Sequence, residues 1–325
     1  MADTDSEWSV AGPAEVGFAP DLEEHFEIAR QAGSLPNLHG VVAARSGRIF
    51  FERYLAGPDA ARARPLGVVR FGPDTLHDLR SVSKSIVGLL YGIAMAAGNV
   101  PPPEATLIEH FPEYPDLAAD PARRLLTVGH ALTMTLGTEW DELTIPYTDP
   151  RNSEIAMDRA ADRYRYILER PVVGPPGERW TYNGGATALL ARLIAKGTGR
   201  SLHDFAREAL FDPLGLGRTE WEHGADGEAL AASGLRMSPR DLARIGVMGW
   251  GKDAGEGDSW CLPSGLRRPS HPPWRCRTDG ATATNGTWAP SLGMTAPKES
   301  CGSRRSAPSA MADNDCSYCL RLIWW

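Results

Sequence analysis

Apolar side chains along the first 250 residues recur with two different periods. In "APDLEEHFEIARQAG" (residues 19–33) the steps are helical, and the run stops at a glycine. In "LHGVVAARSGRIFFERYL" (38–55) two apolar runs flank Arg-Ser-Gly, which predicts strand, turn, strand. "TLHDLRSVSKSIVGLLYGIAMAAG" (75–98) passes from polar residues into a long apolar helix. "LTVGHALTMTLG" (126–137) and "NSEIAMDRAADRYRYILERP" (152–171) are both expected to be helical. "GPPGERWTYNGGATALLARLIAKGTG" (174–199) predicts a Pro/Gly turn, a short aromatic stretch and a helix ended by glycine. Two more helices are expected over 202–216 and 238–250, the second opened by a Ser-Pro cap signal. The expected order is strands first, then a block of helices, with no internal repeat.

The pattern breaks near residue 251. All eight phenylalanines lie at or before Phe211, the last valine is Val247, and only one isoleucine follows Lys252. All five cysteines (Cys261, Cys276, Cys301, Cys316, Cys319) lie beyond the break. Charge changes there too, from 25 basic against 34 acidic residues up to Gly251 to 9 against 7 after it. A segment without Val or Phe is poor material for buried strands.

Composition otherwise suits a soluble enzyme, with 42% hydrophobic and 23% charged residues. The net charge of −7 argues against a nucleic-acid partner. The acidic start "MADTDSEWSVAGPAEVGF" lacks the basic end and apolar run of a signal peptide, and no apolar stretch is long enough to span a bilayer. A cytoplasmic protein without membrane contact is therefore expected; nothing bears on its oligomeric state.

Candidate chemistry begins at Ser81-Val82-Ser83-Lys84. Positions three apart share a helix face, so the Lys84 amine can reach the Ser81 hydroxyl. A serine hydroxyl is a weak nucleophile that needs a base, and a partly desolvated lysine can serve. At a helix start, Ser81 also stands beside free N–H groups able to bind an oxyanion. The bland reading is a capping serine and a solvated lysine. Against it, the chain has only four lysines, and Lys84 alone has a serine three residues before it. Tyr182, in Trp180-Thr181-Tyr182-Asn183-Gly184-Gly185, is either a proton shuttle near that lysine or a packed aromatic. His77, His110, His130 and His223 have no metal-type spacing. No phosphate loop occurs. Cys316 and Cys319 form a C-x-x-C half-site whose second pair is missing.

Taken together, these segments resemble the β-lactamase-related serine hydrolases: class C β-lactamases, D-alanyl-D-alanine carboxypeptidases and their esterase and amide-hydrolase relatives. "LRSVSKSIVGLL" is similar to the family's nucleophile motif, and "PPGERWTYNGGATALLARLIAKGTG" to its Tyr-x-Asn motif with the following helix. "HALTMTLGTEWDE" and "SGLRMSPRDLARIG" also resemble family segments, so the match runs from about Phe18 to about Gly246. The resemblance implies Ser81 as acylated nucleophile, Lys84 as its base, Tyr182 as proton carrier to the leaving group, and Asn183 and Gly184 as substrate contacts. It implies no cofactor and a small ester or amide substrate. One departure is Gly184, where the motif has asparagine; it bears on a side-chain amide contact and on classical β-lactam turnover. The implied fold is an α/β lobe, an antiparallel sheet flanked by helices, beside an all-α lobe. The sheet would take strands from both chain ends.

The family's third motif, Lys-Thr-Gly or His-x-Gly, is absent from the carboxy-terminal segment. Reading that segment one base out of frame supplies a counterpart. Met311 into Ala312 forces Gly, Asp313 into Asn314 leaves Gln, Asn314 into Asp315 leaves Arg, and Asp315 into Cys316 forces Leu. The shifted string is compatible with G-[H/N]-G-G-Q-R-L-F-V-L. Residues 258–265 and 279–289 permit further family-like segments in the same frame. Residues from about 247–252 onward are therefore expected to be read out of frame. The expected organisation is a leader over 1–17, a hydrolase domain lacking its last strands over 18–250, and a disordered tail over 251–325. Such a chain should fold poorly or have impaired activity, because an unclosed sheet loses more than the roughly 5–15 kcal/mol of a domain's net stability. The alternatives are a non-catalytic pseudo-enzyme product, or a metal-binding tail using the cysteines.

Overall fold

The computed structural model describes residues 8–62 and 64–249. A short strand β1 (Ser9–Val10) leads into helix α1 (Leu22–Gln31), which stops ahead of Gly33 at φ 70°. Strands β2 (Gly40–Arg45) and β3 (Arg48–Tyr54) form the expected hairpin. Ser46 and Gly47 both take positive φ, 51° and 75°, as a two-residue type I′ turn requires. β1 runs parallel to β3 on its other side. Phe18 stacks on Phe50 with centroids 4.4 Å apart, and Phe26 of α1 meets Phe51 edge-on at 5.3 Å. Phe18, Phe50 and Phe51 build a small core of their own with Ala11, Val16 and Ala43.

A second hairpin, β4 (Ala56–Ala61) with β5 (Arg64–Arg70), was not legible in the sequence. Its residues include Gly57, Pro58, Pro65 and Gly67, which read as loop. Proline is tolerated because each member of a two-stranded pair is an edge strand. β6 (His77–Asp78), β7 (Glu220–Trp221) and β8 (Leu235–Met237) form an antiparallel sheet with β8 in the centre. The expected order of strands then helices therefore needs correction, since β7 and β8 fall among the helices. β8 returns to the chain's first third because Leu79 N–H donates to Leu235 O at 2.9 Å.

Helix α2 (Val82–Ala96) and helix α7 (Gly184–Thr198) form the centre of the main core. Val87, Leu90, Tyr91 and Ala94 of α2 and Leu189, Leu193 and Ile194 of α7 are buried there. Short helices surround them: α3 (Pro115–Ala118), α4 (Val128–Leu132), α5 (Ser153–Arg159), α6 (Arg163–Leu168) and α8 (Leu202–Ala206). The helix expected over 126–137 is only α4, because Met134 takes φ 56° and turns the chain. The helix expected over 152–171 is two, α5 and α6, with Asn152 and Asp162 each capping a new N-terminus. α9 (Pro239–Gly249) is capped by Ser238, whose Oγ accepts from Asp241 N–H at 3.1 Å. Its Arg240 binds Glu52 of β3 at 2.8 Å, tying α9 to the hairpin.

Among the described residues β2 pairs only with β3. The expected leader over 1–17 lies outside the described residues as far as residue 7, and the expected tail over 251–325, with its five cysteines and the third motif expected there out of frame, lies outside them entirely. Among the described residues no helix is long and apolar enough to cross a membrane.

Candidate active site

Arg80 takes φ 45°, a left-handed angle that costs a side chain roughly 1–2 kcal/mol. The turn at Arg80 ends β6 and starts α2, with Ser81 at the N-cap. Ser81 is left exposed, while Ser83 and Lys84, one turn in, are buried. Lys84 Nζ lies 3.3 Å from Ser81 Oγ, as the three-residue spacing predicted.

Lys84 is not solvated; its side chain is 1% exposed. Around Nζ stand Glu142 Oε1 at 3.2 Å, Glu154 Oε2 at 3.5 Å and the Ala232 carbonyl at 3.2 Å. The Tyr182 ring centroid is 4.7 Å away. An unpaired ammonium here would pay a desolvation penalty of several kcal/mol. The two carboxylates offset it and are themselves held by donors. Glu142 Oε2 accepts from Trp140 Nε1–H at 2.8 Å and Gly184 N–H at 2.6 Å. Tyr147 OH donates to Glu142 Oε1 at 3.3 Å, and Ser233 Oγ–H to Glu154 Oε1 at 2.8 Å.

The second motif sits where α7 begins, so the N-termini of α2 and α7 meet at the site. Tyr182 is half-buried beside Lys84. Asn183 and Gly184 stand differently from a pair of substrate contacts. Asn183 is 2% exposed and its Oδ1 caps α7 by accepting from Ala186 N–H at 2.9 Å. Gly184 offers its N–H to Glu142, not to the opening. A Cβ at Gly184 would stand 3.1 Å from both Glu142 Oε2 and Glu154 Oε2 and 3.2 Å from Ala232 Cβ. The carboxylates thus fill the space a side chain at this position would need. At Gly185 a Cβ would stand 2.7 Å from the Trp140 ring, so this glycine is what lets the indole lie on α7 and aim its N–H at Glu142.

Burial pushes the Lys84 amine down, but Glu154 and Glu142 outweigh it and hold the amine above its usual value. Burial and the neighbouring Glu154 push Glu142 up to about 7. Burial works the same way on Glu154, yet Lys84 and the hydrogen bonds it accepts leave it below the ordinary carboxylate value. The pair is therefore split, with Glu154 held below the ordinary carboxylate value and Glu142 pushed up to about 7.

The structure brings Ser81, Lys84 and Tyr182 together, and with them Glu142, Glu154 and Trp140, which the sequence did not single out. Their one signal was that "TEWDE" and "NSE" lay in or beside segments resembling the family. Of the histidines, His77 is buried, stacked on Phe71 at 4.5 Å, and His130 caps α4. Among the described residues no group of three or more His, Cys, Asp or Glu is placed to hold a metal ion.

The beta-lactamase family model matches residues 29–288. The chain is 26% identical over 241 residues to 6-aminohexanoate-dimer hydrolase of Paenarthrobacter ureafaciens, covering 70% of this chain and 54% of that protein. It is 27% identical over 210 residues to esterase EstB of Burkholderia gladioli, covering 61% and 50%. The chain thus spans about half the length of the curated relatives it matches. The fold is shared with a solved candidate 6-aminohexanoate-dimer hydrolase from Bacillus anthracis, at a TM-score of 0.57 and 18% identity over 79% of this chain and 65% of that one. With the family model covering most of its length, from the strands before Ser81 to well past α9, the chain belongs to the beta-lactamase family.

Proposed function

We propose that this chain is a serine hydrolase that cleaves small esters or amides through an acyl-enzyme on Ser81. The observation that carries the reading is an exposed Ser81 hydroxyl 3.3 Å from a buried Lys84 amine, with the Tyr182 ring centroid 4.7 Å from that amine. Ser81 Oγ attacks the substrate carbonyl carbon, and its proton passes to Lys84. Tyr182 OH donates a proton to the departing alkoxide or amine as the old bond breaks. Water then hydrolyses the Ser81 ester by the reverse proton path. Two relatives that are a 6-aminohexanoate-dimer hydrolase and an esterase by name support the ester-or-amide class.

The third motif is missing from residues 251–325, so the chain as written reacts more slowly than one carrying it. Reinserting one base between codons 247 and 252 gives an open frame with Gly-Gly-Gln-Arg and a faster enzyme. Labelling with a fluorophosphonate probe tests the reaction itself. Labelling of the full chain that disappears in Ser81→Ala supports it. A folded chain that stays unlabelled at every pH, or a Ser81→Ala chain that labels equally, overturns it in favour of a non-catalytic product.

A further inference from the structure

The serine, lysine and tyrosine account for bond making and leaving-group protonation, but not for how Lys84 becomes a base. Around Nζ stand a hydroxyl, a carbonyl and two carboxylate oxygens, each able to accept from it, and the Tyr182 hydroxyl also interacts with the amine. That cage fits an ammonium, whereas accepting a proton from Ser81 requires a neutral amine. We propose that Glu142 and Glu154 act as one proton-holding unit that takes a proton from Lys84, freeing the amine to accept the Ser81 proton. The proposal rests on the serine-hydrolase reading above.

Geometry supports the unit at three points. The carboxyl groups approach Nζ from two separate segments, the loop after α4 and the first turn of α5. The missing side chain at Gly184 leaves room for both, each Oε2 being 3.1 Å from where its Cβ would be. Each group also has an outside donor that does not compete for Nζ: Trp140 Nε1–H on Glu142 and Ser233 Oγ–H on Glu154. The other titratable groups facing the unit are Tyr147 on Glu142, Tyr182 across Lys84, and Arg62 and Asp158 on the side of Glu154. Arg62 is itself paired with Asp158 at 2.9 Å and with Glu222 at 3.4 Å.

The proton balance is closed. The resting cluster holds Lys84 as ammonium, one carboxylate and one carboxylic acid. Loss of one proton to solvent gives two tautomers: ammonium with two carboxylates, or neutral amine with one carboxylic acid. The second is the reactive form. Its share of the deprotonated cluster does not change with pH, because the tautomers differ only in where a proton sits. Activity therefore switches on with the titration of the carboxyl unit near 7 and then stays level, instead of climbing until the lysine itself titrates.

The test is the pH dependence of Ser81 labelling by a fluorophosphonate, in the full chain, from pH 5.5 to 10. Fluoride leaves without being protonated, so the rate reports the base and not Tyr182. The unmodified chain is expected to rise to a plateau above about pH 7. In Glu142→Gln the rising limb near pH 7 should disappear, because the remaining carboxyl, Glu154, is held below the ordinary carboxylate value and does not titrate there. Ser233→Ala, which removes a donor to Glu154 without touching Lys84, should move the rising limb to higher pH. A purely structural role would scale the profile without moving it, and an unmoved limb in both variants overturns the relay. Infrared pH titration of the buried carboxylic-acid C=O band gives a readout without activity. A band titrating near pH 7 that is lost in Glu142→Gln supports the unit, and its absence overturns the unit even if Ser81 labels. A titrating band in a chain that never labels overturns the hydrolase reading and the relay with it.

Discussion

Replacing glycine by alanine in a helix interior ordinarily stabilises by about 1 kcal/mol. Two glycines here should answer that change with opposite signs. At Gly88, within α2, an added methyl meets nothing within 4 Å. Gly88→Ala should therefore stabilise by about 0.8–1 kcal/mol. At Gly185 the methyl would stand 2.7 and 2.9 Å from two Trp140 ring atoms and 3.0 Å from Asn183 Oδ1. The indole is 7% exposed and has little room to retreat. Overpacking of this kind costs about 1–3 kcal/mol. Displacing the ring also breaks its bond to a charged carboxylate, worth about 1.5–3 kcal/mol. Less the propensity gain, Gly185→Ala should destabilise by ~2–5 kcal/mol. A domain of this size moves its Tm by about 2–4 °C per kcal/mol. Thermal melting followed by circular dichroism should then show Gly88→Ala up by about 2–4 °C and Gly185→Ala down by about 4–20 °C. If both variants move the same way, the placement of Trp140 against α7 is refuted.

Other outcomes follow from the same site. Glu142 rises from an ordinary 4.5 to about 7 in the folded protein, so the folded state binds more protons than the unfolded one in that window. Its contribution to stability is full below 4.5 and falls by roughly 3 kcal/mol as pH rises to 7. Melting at pH 5 should exceed melting at pH 7.5, and Glu142→Gln should flatten the difference; an unchanged slope would exclude Glu142 as its source. Glu154, held low, acts in the opposite sense only below its ordinary value, outside that window. Lys84→Met should slow fluorophosphonate labelling by about 10²–10⁴, the usual worth of a general base; labelling within threefold of the unmodified rate would remove Lys84 from the reaction. Asn183→Ala should cost about 0.5–2 kcal/mol as a lost N-cap, with Asn183→Asp restoring most of it. If Asn183→Asp restores stability but leaves labelling as slow as in Asn183→Ala, the residue contacts the probe directly.

Local sequence determined a good part of this protein. The 3.6-residue period of α2 and α7, the Ser-Gly turn between β2 and β3, and the stop at Gly199 all depend on residues a few positions apart. So does the Ser81–Lys84 contact, because a helix places positions three apart on one face whatever surrounds it. The β4–β5 hairpin escaped notice because its prolines and glycines matter only through its being all edge. β7 and β8 are two and three residues long, too short for any period to show.

What only the tertiary structure decided is the charge state of the site. In the sequence Glu142 and Glu154 are acidic residues in polar stretches, where a solvated surface is the ordinary outcome. Gly184 is a departure from a motif, and Trp140 one apolar residue among many. Folding brings both carboxylates against Lys84 over separations of 58 and 70 residues. The missing Cβ at Gly184 makes the room, and the bare backbone at Gly185 seats the indole. Burial is a property of the whole packed chain, and the cost of a buried charge depends on every group around it. No window of neighbouring residues contains that information, so the sequence could pair Ser81 with Lys84, but only the fold could bring Glu142 and Glu154 to that lysine.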